Sequence, residues 1–322
     1  MHIGLFATFM SPRADRFMIR DFAQQCESIG VHSVWMGEHV VLFDETEHPY
    51  PGAKDGKIPV PAGGGMLDTV ATFGFLAGVT ETLRFGTGIA LISQRNPLYT
   101  AKEFATLDWL TGGRIDFGVG VGWCKEEVIA SGYSWEDRGA RSDEFLALTK
   151  VLWTDPLVSF EGEHFQLAPC HLDPKPLQTP HIPIIVGGRS DKAIERAARY
   201  GDGWLGVWCS PERFANVVEH IGETTDRSEP WKHGLQLWVG TGETKAEART
   251  HVAKGMETFY QIPFERFEKY SPYGTAEEIA EYLLPFVENG ARILNICPRG
   301  PSEEYMLEVT AEVATILKRE HG

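Results

Sequence analysis

Eight short β-rich runs alternating with longer amphipathic ones predict an α/β fold of the (β/α)8 TIM-barrel class. Length agrees: the chain has 322 residues, and such barrels use roughly 250 residues or more as one unit. No linker composition divides it. An open doubly wound sheet is the competing architecture, and the count of eight units favours closure. One domain over 1–322 is expected, with an insertion segment at 158–183 after the fourth βα unit.

The strand-like runs are Ile3 to Phe6, Ser33 to Met36, Arg84 to Ile89, Arg114 to Val119, Ile182 to Val186, Gly203 to Val207, Leu235 to Val239 and Ile293 to Cys297. Arg16 to Ser28 places Phe17, Ile19, Phe22, Ala23 and Cys26 near a helical repeat, with Gly30 as a stop. Thr69 to Val79, Leu98 to Leu110, Ser142 to Trp153, Ser190 to Tyr200 and Pro211 to Ile221 read alike. Thr275 to Glu288 opens on Thr275 with Glu278 three residues on, the pattern of a capping box. A last helix spans Ser302 to Lys318. Two stretches break the rhythm. Leu42 to Gly65 is rich in Pro, Gly and charge, a loop long enough to be functional. Val158 to Pro183 contains Phe160-Glu-Gly-Glu-His-Phe165, a small hairpin, and many prolines. Its expected place is beside the barrel mouth.

Composition narrows the function classes. A formal net charge of -15 disfavours wrapping nucleic acid or lying on an anionic membrane, though a local basic pocket stays open. A hydrophobic fraction of 43% argues against disorder. The five cysteines (Cys26, Cys124, Cys170, Cys209 and Cys297) are scattered and form no Cys-x-x-Cys pair, which fits a reducing compartment. No basic stretch leading into an apolar run opens the chain, so no signal peptide is expected, and a cytoplasmic location follows. His164, Cys170, His171 and His181 match no usual zinc spacing, so no metal is expected. No Gly-x-Ser-x-Gly elbow of a nucleophilic hydrolase occurs.

Four runs carry chemistry. Gly112-Gly-Arg-Ile-Asp-Phe-Gly-Val-Gly-Val-Gly-Trp123 ends a strand in three alternate glycines, Gly118, Gly120 and Gly122. Without a Cβ, a flat ring or a phosphate can approach the backbone, although barrel strands also use small residues to fit their taper. Trp123 occupies the position where a dinucleotide fingerprint would need its third glycine. Leu83-Arg-Phe-Gly-Thr-Gly-Ile-Ala-Leu-Ile92 followed by Arg95-Asn-Pro-Leu98 puts apolar groups at a strand end, where they can wall a planar cofactor or simply fill core. Val34-Trp-Met-Gly-Glu-His39 places Glu38 and His39 just past a buried strand, a functional position in a barrel, with the histidine able to move a proton near neutrality. Ile184-Ile-Val-Gly-Gly-Arg-Ser190 leads into a helix whose N-terminus could take an anion. It lacks the Lys-Ser/Thr ending of a Walker loop.

Taken in order, these runs resemble the bacterial luciferase-like oxidoreductase family. So do Glu136-Asp-Arg-Gly-Ala-Arg-Ser-Asp-Glu-Phe145, Leu152-Trp153, Phe160 to Phe165, Gly201-Asp-Gly-Trp204 and Gly274-Thr-Ala-Glu-Glu-Ile279. The resemblance covers nearly the whole chain and is greatest to the actinobacterial branch using the deazaflavin coenzyme F420. It implies an oxidoreductase transferring hydride to or from a small organic substrate, with FMN as the alternative cofactor and a reduced-FMN monooxygenase as the rival. A non-catalytic flavin-binding paralogue is the third reading. It also implies a non-proline cis peptide near Gly88-Ile89 and a homodimer. Carried onto this chain, it places the pair Glu38 and His39 next to the ring, which makes His39 the expected proton donor or ring-oxygen partner, with Glu38 orienting or balancing it. The cofactor-binding set it implies is Phe6, His39, Gly88, Ile89, Ala90, Gly120, Val121, Gly122, Trp123, Gly187, Gly188 and Arg189. Trp123 stands where a sugar-phosphate-oxidising branch has a catalytic glutamate, which puts that substrate class in doubt. Phe6, Trp123, Trp204 and the Leu42 to Gly65 loop suggest an apolar or aromatic pocket, although aromatic residues near a mouth are also ordinary packing. Tyr133, Arg138 and Arg141 either reach the mouth or tie down a surface helix.

Overall fold

A computed structural model describes residues 1–50, 53–60, 63–225, 227 and 230–321. Its central element is a closed parallel barrel of eight strands: β1 His2–Phe6, β2 Ser33–Met36, β3 Arg84–Thr87, β4 Ile115–Gly120, β5 Ile184–Gly187, β6 Gly203–Val207, β7 Gly234–Thr241 and β8 Ile293–Arg299. Each strand pairs with the next, and β8 returns to β1, with His2 opposite Ile293. The open-sheet alternative is thereby excluded. Ten helices in the described residues surround it: α1 Arg16–Ser28, α2 Thr69–Ala77, α3 Pro97–Thr111, α4 Lys125–Ala130, α5 Arg138–Thr154, α6 Asp191–Tyr200, α7 Pro211–Glu223, α8 Lys245–Tyr260, α9 Ala276–Glu288 and α10 Glu303–His321. The helices start where the capping chemistry directs. Asp15, Asp68, Asn96, Ser190, Ser210 and Thr275 each accept backbone N–H bonds of the first turn, and Thr275 with Glu278 completes the capping box.

The barrel interior is filled from its strand-start end. Trp35 of β2 is fully buried and donates its indole N–H to Ser33 Oγ at 2.9 Å. Its ring occupies the space that a Cβ at Gly86 of β3 would need, and lies 3.2 Å from where one would stand at Gly118 of β4. Ile185, Leu205 and Ile293 pack around it, with Phe6 and Ile89 at the edge of the cluster. Outside the sheet a larger apolar layer joins the strands to the helices, as burial of both faces of a parallel sheet requires.

Three local departures from the sequence reading matter. The third strand was expected to run to Ile89, but β3 ends at Thr87. The Gly88–Ile89 peptide is cis, and Ala90–Leu91 then re-pairs with Val119 and Gly120. Helices α4 and α8 are not among the elements expected from the sequence. The third departure concerns the insertion. It does form a hairpin, Val158–Glu161 against Gln166–Cys170, but its proline-rich tail lies away from the mouth. Gln178 bonds Asp108 near the end of α3 and the Ile115 carbonyl at the start of β4, both at 2.7 Å, and Lys175 caps carbonyls of Leu152 and Asp155 at the end of α5. A chain leaving the helix of a βα unit stands at the strand-start end, so the segment crosses there. Only the hairpin turn climbs along α5, where the Glu144 carboxylate accepts the N–H groups of Glu163, His164 and Phe165.

Candidate active site

At the C-terminal ends of the strands a cavity of about 260 Å³ opens, near the lower end of the roughly 300–1,000 Å³ typical of small-molecule sites. Phe6 ends β1. Gly37, Glu38 and His39 follow β2, and Gly88, Ile89 and Leu91 follow β3. Gly122 and Trp123 follow β4, Gln236 and Trp238 come from β7, and Cys297 and Arg299 from β8. Tyr50, Ile58 and Met66 descend from the long loop after β2, and Phe259 and Tyr260 from the end of α8. The walls are therefore largely aromatic and apolar, with a few polar groups at fixed places.

Glu38 is buried and faces away from His39. Its Oε2 accepts the Leu91 N–H at 2.7 Å, and Arg95 Nε donates to both carboxylate oxygens at 3.0 and 3.1 Å. Burial would make the Arg95 guanidinium easier to deprotonate, but the Glu38 contact outweighs it and holds the arginine above its ordinary range. This ion pair fixes the irregular chain after β3. The expectation that Glu38 orients His39 is thus corrected, because its carboxylate is already committed to Arg95 and Leu91.

The group that orients His39 is Glu127 of α4, whose side chain is 1% exposed. Its Oε2 lies 2.8 Å from His39 Nδ1, and its Oε1 accepts the Val40 N–H at 2.6 Å. Burial pushes the Glu127 carboxyl up, yet the hydrogen bond and charge of His39 and the Val40 N–H bring it below the ordinary carboxylate range. An ionised Glu127 favours the tautomer that carries its proton on Nδ1, which leaves Nε2 as the acceptor nitrogen of the ring. The His39 ring meets Trp123 edge-on at 5.9 Å, and Trp123 meets Tyr50 at 5.4 Å. The buried indole N–H of Trp123 has no hydrogen-bond partner among the described residues. Burial pushes the Tyr50 hydroxyl up to about 12, so it stays protonated near neutral pH.

Of the residues expected at the site, Phe6, Glu38, His39, Gly88, Ile89, Gly122 and Trp123 line the cavity. Ala90, Gly120, Val121, Gly187, Gly188 and Arg189 do not. A Cβ at Gly120 would fall on Ile89 Cδ1, and one at Gly187 would lie 2.9 Å from Ile89 Cγ2. These glycines make room for the Ile89 side chain, not for a ring. Ala90 is fully buried behind the rim, the Val121 carbonyl takes the Ser93 hydroxyl, and the Gly188 carbonyl takes the Trp204 indole N–H. Arg189 is exposed beside Trp208, 5.8 Å from its ring centre. Trp204, expected in the pocket, is fully buried against Phe214. Residues 51–52 and 61–62 of the expected loop lie outside the described residues. Arg138 stacks on Trp135 at 3.5 Å and Arg141 bonds the Ser93 carbonyl, so these arginines tie down the start of α5.

The expected Leu42 to Gly65 loop supplies Tyr50 to the cavity, while Glu127, Gln236, Trp238, Phe259, Tyr260 and Arg299 were not singled out from the sequence. The acidic pair Glu126-Glu127 just past a strand-end glycine was the available signal for Glu127, being the acid-rich first turn of a helix. Phe259 and Tyr260 were out of reach once α8 was overlooked.

A planar cofactor ring is compatible with these residues. Gly37 and Gly88 bring the backbone close to Phe6: a Cβ at either would stand 3.4 Å from its ring, and one at Gly88 would stand 3.2 Å from Gln236 Oε1. The Trp123 ring adds an aromatic wall to the same cavity. Comparison with known proteins agrees. The family model for luciferase-like monooxygenases matches residues 1–294. An FMNH(2)-dependent dimethylsulfone monooxygenase of Pseudomonas putida is 35% identical over 183 residues, 56% of this chain and 50% of that protein. An F420-dependent glucose-6-phosphate dehydrogenase of Amycolatopsis mediterranei is 29% identical over 199 residues, 60% of this chain and 54% of that protein. Among solved structures, an F420-dependent secondary alcohol dehydrogenase in complex with an F420-acetone adduct superposes with a TM-score of 0.79 at 23% identity, covering 98% of each chain.

Proposed function

The chain belongs to the luciferase-like monooxygenase family, and within it we propose that the protein is an F420-dependent oxidoreductase acting on a small organic substrate. The observation that carries this reading is the His39–Glu127 pair at the cavity wall. Moving a hydride between carbon atoms of a coenzyme and an alcohol or carbonyl needs a partner that takes or gives the proton on the substrate oxygen. His39 Nε2 is that partner, Glu127 fixes the ring and balances its charge, and Glu38 with Arg95 holds the backbone after β3. Phe6, Gly37, Gly88 and Trp123 flank the ring's place. When bound, a deazaflavin would supply the two-electron hydride chemistry. Arg189, exposed at the end of β5, is assigned to the phosphate-bearing tail with Gly188. F420-dependent relatives in sequence and structure support the coenzyme.

The second reading is a reduced-FMN monooxygenase, favoured by the 35% identity to the dimethylsulfone enzyme. Fluorescence titration with each coenzyme separates them. Sub-micromolar to micromolar binding of F420, with no saturable binding of FMN, is the expected result, and the reverse would replace the first reading with the second. Binding of F420 without oxidation or reduction by any alcohol or carbonyl tried would point to a paralogue that binds without turnover. We also assign a homodimer, supported by the exposed Leu98, Tyr99, Trp109 and Leu110 of α3, and a cytoplasmic site of action.

A further inference from the structure

The cavity carries three side chains able to bear charge near neutral pH: Glu38, His39 and Arg299. Two are committed, Glu38 to Arg95 and His39 to Glu127. Arg299 is different. Among the described residues no carboxylate forms an ion pair with its guanidinium, and its Nη1 donates only to the neighbouring Pro298 carbonyl, at 2.7 Å. The ionisable groups beside it do not compensate it either. Burial pushes both the Cys297 thiol and the Tyr260 hydroxyl up, so both stay neutral.

The cation is nonetheless held in place. Its guanidinium lies 4.4 Å above the Trp238 ring. Its stem fills the space left by Gly255 of α8, where a Cβ would stand 2.8 Å from Cγ, Cδ and Nε. A positioned, half-buried cation without a counter-ion is costly, and in a chain of net charge -15 it is out of keeping with the rest of the surface. From it a continuous aromatic wall leads back to His39. Trp238 meets Phe259 at 5.7 Å, Phe259 meets Tyr50 at 6.1 Å, Tyr50 meets Trp123 at 5.4 Å, and Trp123 meets His39.

We propose that Arg299 is the anchor for an anionic group on the substrate, which is an organic carboxylate with an apolar or aromatic body lying along this wall and its reacting end toward His39. The inference rests on the oxidoreductase reading of the same cavity and narrows its substrate class. The coenzyme tail is the other possible source of an anion. Arg299 ends β8, three strands around the barrel from Arg189 at the end of β5, which leaves it to the substrate.

The test is calorimetric titration of the full-length protein with 3-phenylpropionate and with its methyl ester. The carboxylate should bind about tenfold more tightly than the ester, as a charge-assisted bidentate contact provides. Raising salt should weaken the acid and leave the ester unchanged. Arg299→Gln should bring the two within about twofold while F420 affinity holds, and Arg299→Lys should keep part of the preference. Should Arg299→Gln fail to fold, the lysine variant and the salt dependence decide alone. Equal binding of acid and ester to the unaltered protein, no saturable binding of the acid at millimolar concentration, or a loss confined to F420 affinity would each overturn the proposal. The titration needs neither turnover nor coenzyme. Failure of F420 to bind would therefore sink the proposed function and leave this subsite standing, and the reverse holds too.

Discussion

Glu127 sets what His39 can do, and the two can be separated experimentally. Glu127→Gln keeps the shape and a hydrogen-bonding oxygen near Nδ1 but removes the negative charge. A proton held on the ring loses the charge that balances it, so kcat should fall roughly 10- to 100-fold. Coenzyme affinity should change little, because Glu127 lies behind the cavity wall. An unchanged kcat in the glutamine variant would remove Glu127 from this role. Ile89 offers a purely steric counterpart. Its side chain sits where Gly120 and Gly187 lack Cβ atoms. Gly120→Ala should cost about 1–3 kcal/mol by overpacking. Combining it with Ile89→Ala should be less harmful than the sum of the two by about 1 kcal/mol or more. Denaturant midpoints of the three variants give that coupling directly, and strict additivity would mean the glycine faces something other than Ile89.

Among the elements, caps were the most readable feature and packing the least. Thr275 and Glu278 were recognisable from spacing alone because a capping box is local chemistry, and α9 starts there. Thr275→Ala should cost about 1 kcal/mol, measured as a drop in unfolding free energy with unchanged denaturant dependence. All eight strands were readable for the same local reason: β-branched and apolar runs bounded by turn residues. The cis Gly88–Ile89 peptide was anticipated from family resemblance, since nothing in composition or periodicity announces one. Helix α8 was missed because its apolar stripe is narrow: Ala248, Val252, Met256 and Tyr260 recur every fourth residue on one face, while the residues between them are mostly polar or small. Of the alternate glycines after Arg114, Gly122 lines the cavity while Gly120 makes room for Ile89 and not for a ring, an outcome settled only by which side chain reaches across from the neighbouring strand. His39 was found because it stands at a strand end. Its partner Glu127 was not, because 88 residues separate the two and only barrel closure brings them together.

For the whole molecule, chemistry and stability occupy opposite ends of the barrel, and acid should attack the second first. At the strand-start end His2 and His32 stack at 3.8 Å, with Asp116, Arg84 and Lys232 close by and His233 alongside β6. Burial pushes His32 down to about 3, and burial together with Arg227 and Arg292 pushes His233 down to about 4. Asp116 is fully buried, yet Arg84 and Lys232 overcome that burial and hold its carboxyl below the ordinary range. In every case the folded state binds protons less readily than the unfolded chain. The stability these groups contribute is therefore complete above about pH 6.5, where an unfolded histidine loses its proton. It declines as the pH falls toward 4, by up to about 1.4 kcal/mol per pH unit for each histidine. Urea midpoints should accordingly change little from pH 7.5 to about pH 6.5 and then fall as the pH drops to 5. His32→Asn, which cannot titrate there, should flatten the slope by close to one proton, even if it lowers stability at pH 7.5. A midpoint independent of pH across this range, or an equal slope in the asparagine variant, would show that these histidines are not the groups that acid must charge in order to open the barrel.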